Sequence, residues 1–99
     1  MRAIKIYVDA IEEEIADAKN YAEHYVERKA MGDAQAANRY KEMSNDELKH
    51  AGYLHEWAVR EIEKIATVYT APVEMQEKWE QAHKKYVEKT AMIKQMLAM

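Results

Sequence analysis

Only Gly32, Gly52 and Pro72 interrupt a chain of 99 residues rich in Ala, Glu, Lys and Met. A sheet of this size needs turn residues every few positions and an alternation of apolar and polar side chains, and the sequence has neither. Long helices are what remains, so the expected fold class is all-α. The first helix is expected over about 2–31, with Arg28 and Lys29 near its negative end and Gly32 as its C-terminal cap. Asp33 then caps a second helix over about 34–67, which the string Thr67, Val68, Thr70 and Pro72 brings to a close. Pro72 suits the first turn of a third helix over about 72–98.

Such a chain makes one domain, residues 1–99, without linker or low-complexity segment. A domain this small buries a modest share of its surface, so a partner is expected. The net charge is −3 and both signs are mixed throughout. That leaves no basic stripe for nucleic acid and no polybasic segment for a membrane surface. The absence of cysteine removes disulfides, thiolate ligands and a thiol nucleophile. The opening "MRAIKIYVDAIEEE" is too broken by charge for a signal peptide or a membrane span, so the expected location is cytoplasmic.

Helical periodicity aligns Tyr7, Ile11, Glu14, Ala18, Tyr21 and Tyr25 on the first helix, flanked by Val8, Ile15 and Ala22. The matching row of the second helix is Tyr40, Met43 or Ser44, Glu47, His50 or Ala51, Leu54, Trp57 or Ala58, Ile62 and Ile65. Two apolar seams thus carry Glu14, Glu47 and His50. In an antiparallel hairpin, residues at one height share a midpoint at the turn, and Glu14 and Glu47 have theirs between residues 30 and 31. The three groups are therefore expected to meet at one level of a desolvated core. Buried unpaired charges cost several kcal/mol each, on the order of the whole stability of a small domain, and a metal cation there removes that cost.

An E-x-x-H pair alone is common on helix surfaces. Glu14, at matching height in the opposing seam, is what makes the pattern point to metal. Carboxylates with an imidazole suit iron, with manganese as the other candidate, better than zinc, whose structural sites favour thiolates and several histidines. Four-helix dinuclear sites take a Glu from two helices and a Glu-x-x-His from each of the other two, and this hairpin supplies half of that set. Glu80 and His83 on the third helix repeat the spacing, but Glu80 falls opposite about residue 60, well over ~10 Å from the site at ~1.5 Å rise per residue. A two-fold axis completes the set instead, predicting a homodimer, or a higher homo-oligomer, with the hairpins forming a four-helix bundle. The third helix then covers the side through Trp79, Ala82, Tyr86, Ile93 and Leu97.

The segments "EIADAKNYAEHYVERKAMGD" and "YKEMSNDELKHAGYLHEW" resemble the first two helices of the rubrerythrin branch of the ferritin-like superfamily, over roughly residues 7–65. The half-size layout is similar to that of the encapsulated ferritins, which assemble their site between subunits. The resemblance implies Glu14 as a terminal ligand, Glu47 as a carboxylate able to bridge two irons, His50 as the imidazole ligand, and Tyr21 as the catalytic tyrosine beside them. It further implies a dinuclear iron oxidoreductase that oxidises ferrous iron with dioxygen or peroxide. The rival expectation is a metal-free helical interaction module, in which the Glu/His cluster fixes dimer register.

Plainer roles are expected elsewhere. His24 and His55 are read as solvated, His83 as a surface pair with Glu80, and Gly52 as a place where another helix packs closely. Met92, Met96 and Met99 are read as flexible packing.

Overall fold

A computed structural model of the protein describes residues 2–68, 70 and 72–99, the Ala3 side chain excepted. It contains α1 (Arg2–Ala30), α2 (Ala34–Val68) and α3 (Val73–Leu97), and no strand among the described residues. The helices form a rod with extents of 56 × 17 × 17 Å. None of them is long and apolar enough to cross a membrane.

The α1–α2 turn is set by two adjacent residues. Gly32 has φ of 80°, a backbone conformation that costs glycine nothing. It lets the Gly32 N–H donate to the Lys29 carbonyl and the Asp33 N–H to the Arg28 carbonyl, which satisfies the end of α1. The Asp33 carboxylate then accepts from the Ala36 N–H at 3.2 Å, capping α2. At the start of α3, Pro72 is the N-cap itself rather than a first-turn residue. Its carbonyl accepts from the Met75 and Gln76 N–H groups, and its missing N–H is one that a helix start does not need.

Ala37, Ser44, Ala51, Ala58 and Ile65 are the buried residues of α2 and recur every seventh position. Ala37 and Ala51 share a buried cluster with Ile11, Ala18, Ala22 and Tyr25 of α1, Ser44 bonds to Ala18, and Ile65 clusters with Ile4. The small side chains on both helices allow a close approach, and the seven-residue repeat keeps the seam facing its partner along the hairpin.

The third helix packs on one face of this hairpin. Ile93 and Leu97 join the main core with Ile11, Ile15 and Ala22, while Tyr86 and Met96 pack against it. A second cluster, of Ile4, Ile65 and Met75 with Val8, Ile62 and Trp79 against it, closes the far end. Lys29 donates to the Met99 carbonyl, tying the end of α3 to α1. Of the side chains expected to cover the hairpin, Trp79, Tyr86, Ile93 and Leu97 do so, joined by Met75 and Met96.

Candidate metal centre

On a helix turning about 100° per residue, Glu14 and Tyr21 lie to one side of the buried stripe of α1, and Val8 and Ile15 to the other. On α2 the same division puts Glu47, His50, Leu54 and Trp57 on one side and Leu48, His55 and Ile62 on the other. α3 takes the second side of both helices. Glu14, Glu47 and His50 thus lie on the face that α3 leaves open.

These three residues each offer one ligand atom, and the atoms all lie within 4.8 Å of one another. His50 Nδ1 is 3.5 Å from Glu14 Oε2 and 3.8 Å from Glu47 Oε2. The convergence expected from the hairpin register is present, and α3 contributes nothing to it. The surroundings differ from the expected desolvated core. The side chains of Glu14 and Glu47 are 27% and 21% exposed, and that of His50 is 54% exposed. The reason is the choice between adjacent residues that the sequence left open: Ser44, Ala51 and Ala58 take the buried seam, while Met43, His50 and Trp57 line its open edge.

The electrostatics show why these groups favour a cation. Glu47 is pushed up to about 7, first by a hydrogen bond with the Glu14 carboxylate, then by burial and by the Glu14 charge, with His50 opposing. Two carboxylates this close cannot both carry charge cheaply without a positive group between them. Glu14 Oε2 is buried and has no hydrogen-bond partner. Two adjacent carboxylates and an imidazole are a donor set that fits iron or manganese.

Tyr21 is half-buried on the same face, one heptad beyond Glu14. Its ring stacks on Tyr40 at 6.3 Å, and Tyr40 in turn stacks on His24 at 4.9 Å. His24 is therefore a stacked, half-buried ring rather than a solvated one. Tyr40, a flat apolar neighbour across the hairpin, is what draws it in.

His55 is also not the exposed histidine expected. It sits half-buried on the α3 side, with its ring 4.4 Å from that of Tyr86 and nearly parallel to it. His83 directs Nδ1 at His55 Nε2, 2.8 Å away, in place of the expected surface pair with Glu80. Sequence spacing within α3 gave no sign of this, because the partner comes from α2. At Gly52 the nearest approach is the tip of a side chain: an added Cβ would meet the Tyr86 hydroxyl at 3.8 Å.

No family model, curated protein or solved structure matches the chain.

Proposed function

We propose that the chain is a metal-binding helical hairpin that pairs with a second copy through the face bearing Glu14, Glu47 and His50, and that ferrous iron is its substrate. The observation that carries this reading is the convergence of two carboxylates and an imidazole from two helices, with their nearest donor atoms within 4.8 Å of one another. Three donors are half of what a dinuclear carboxylate site in a four-helix bundle uses. A two-fold partner brings a second Glu14, Glu47 and His50 and covers the half-exposed residues that α3 leaves open.

In this reading Glu14 and Glu47 would hold the metal through carboxylate oxygens and His50 through a ring nitrogen. Ferrous iron held there would supply electrons to dioxygen or peroxide, the chemistry to which the resemblance to rubrerythrin-type proteins points. The chain's own part is to hold anionic oxygens that favour the ferric product and to exclude bulk water. The Tyr21, Tyr40 and His24 stack lies about two turns from Glu14, toward the turn end of the hairpin. Manganese is served by the same donors.

The test is anaerobic ferrous titration of protein purified without a metal-affinity tag, followed by exposure to air, for wild type and Glu47→Ala. About two irons per dimer, with a ferric absorption missing from the variant, is the expected result. A wild type that binds no iron sinks the proposal.

A second reading is favoured by the raised Glu47 carboxyl, which beside Glu14 can hold a proton between the two carboxylates with no metal. A metal-free cluster of this kind fixes the register of a helical interaction module. It predicts unchanged metal content in Glu47→Ala together with weaker self-association.

A further inference from the structure

The face that α3 leaves open continues past Glu14, Glu47 and His50 in both directions, and its two ends carry opposite charge. On α1 the column of Glu14 and Tyr21 runs on to Arg28, two heptads from Glu14 on the turn side. On α2 the column of Glu47 and Leu54 runs on to Glu61, two heptads from Glu47 in the other direction. At ~1.5 Å rise per residue, each charge lies ~21 Å from the level of the site, on opposite sides of it. We infer that the second copy lies antiparallel on this face, so that Arg28 of each chain meets Glu61 of the partner subunit at both ends of the bundle. The inference rests on the pairing proposed above and gives that pairing its direction.

A two-fold axis can bring two sets of Glu14, Glu47 and His50 together in two ways. An axis along the helices keeps every residue at its own level, so Arg28 meets Arg28 and Glu61 meets Glu61. An axis across the helices at the level of the site exchanges the ends. Arg28 then meets Glu61, because their offsets from the site are equal and opposite. The same operation sets Tyr21 and Tyr40, one heptad to the turn side, level with the partner subunit's Leu54 and the partner subunit's Tyr7, one heptad to the other. Both arrangements cover apolar rings in the middle layers, so the charges decide between them.

The state of the two charged groups favours the exchange. Arg28 is half-buried, its Nε is buried without a hydrogen-bond partner, and its guanidinium has no ion pair among the described residues. A cation beside an apolar face with no counter-charge gains from an incoming carboxylate and loses from a second arginine. Glu61 supplies the carboxylate. Its side chain is 36% exposed, and its contact with the more exposed Lys64 is a loose one at 4.0 Å. The planar guanidinium binds a carboxylate through two parallel N–H groups, which a lysine ammonium cannot do. Symmetry makes the pair twice in each dimer.

Sedimentation equilibrium of wild type, Arg28→Glu, Glu61→Arg and the double reversal tests the charges. Each single reversal is expected to weaken self-association by about tenfold or more, and the double reversal to recover it. Cross-linking tests direction without altering either charge. Met31 and Lys64 lie at equal and opposite offsets from Glu14 and Glu47, both are exposed, and the chain has no cysteine of its own. A short bis-maleimide is expected to join Met31→Cys chains to Lys64→Cys chains once the two are mixed, and to join neither variant to itself. Far-ultraviolet circular dichroism verifies folding, and the cross-linking result decides if a reversed-charge variant does not fold. Self-linking of either cysteine variant, or a folded double reversal as weak as the single ones, overturns the antiparallel arrangement while the pairing of chains stands. A wild type that stays monomeric overturns both.

Discussion

The Ser44 hydroxyl donates to the Ala18 carbonyl across the α1–α2 interface at 2.7 Å, and both residues are fully buried. The midpoint of Ala18 and Ser44 is Met31, at the turn. This bond therefore holds the same register that brings Glu14 level with Glu47, and the candidate metal centre depends on it.

Ser44→Ala should cost about 1 kcal/mol, the usual net worth of one hydrogen bond, because the Ala18 carbonyl keeps its place in the α1 ladder. Ser44→Leu should cost more, about 2–3 kcal/mol, since Ala18 and Ala51 leave no space for added methylenes. Urea denaturation measures both. A leucine variant as stable as the alanine variant would show that the helices separate easily at this level.

Gly52→Ala should stabilise the protein by up to about 1 kcal/mol. The position lies inside α2, where glycine loses more backbone freedom than alanine on folding. The added Cβ meets the Tyr86 hydroxyl at 3.8 Å, an ordinary contact that requires no movement. Thermal denaturation decides it: a lower melting temperature would mean that α2 and α3 are packed more tightly than this distance implies.

Glu47 makes the stability of the metal-free protein depend on pH. Its carboxyl is pushed up to about 7 in the folded chain against 4.5 ordinarily, so between those values it binds more proton folded than unfolded. The stability it contributes is then fully present below 4.5 and is lost as pH rises through 7. Partial exposure screens the effect to on the order of 1–2 kcal/mol. Glu47→Gln removes the ionisation and should flatten this part of the curve. Urea midpoints between pH 4 and 8 measure it, and an equal slope in the variant would assign the dependence to another group.

The helices and the turn were legible in the sequence because each was fixed by local chemistry: Gly32 needs its positive φ, Asp33 caps α2, and Pro72 starts α3. The meeting of Glu14, Glu47 and His50 was legible too, since one tight turn fixes the register of two long helices. What the sequence left open was which neighbour in each pair points inward. Ser44 or Met43, Ala51 or His50, and Ala58 or Trp57 differ by about 100° around one helix, and the side taken by α3 decides between them. The pairing of His55 with His83 depends on the same fact. Periodicity within one helix cannot reveal a partner on another.

Trp57 is the residue through which the proposed pairing of two chains is best tested. It lies on the open edge of α2 two turns beyond His50, and it is 55% exposed, which is unusual for so large an apolar ring. If a second hairpin covers this face, Trp57 enters the interface, where buried tryptophans commonly carry about 2 kcal/mol or more of binding energy. Trp57→Ala should then weaken self-association about thirtyfold while leaving helix content unchanged. Val87 on α3 is 50% exposed but sits away from that face, so Val87→Ala should leave association untouched. Sedimentation equilibrium over a range of concentrations distinguishes the two. Equal weakening by both substitutions, or a wild type that stays monomeric with iron present, would leave Glu14, Glu47 and His50 to bind metal within a single chain.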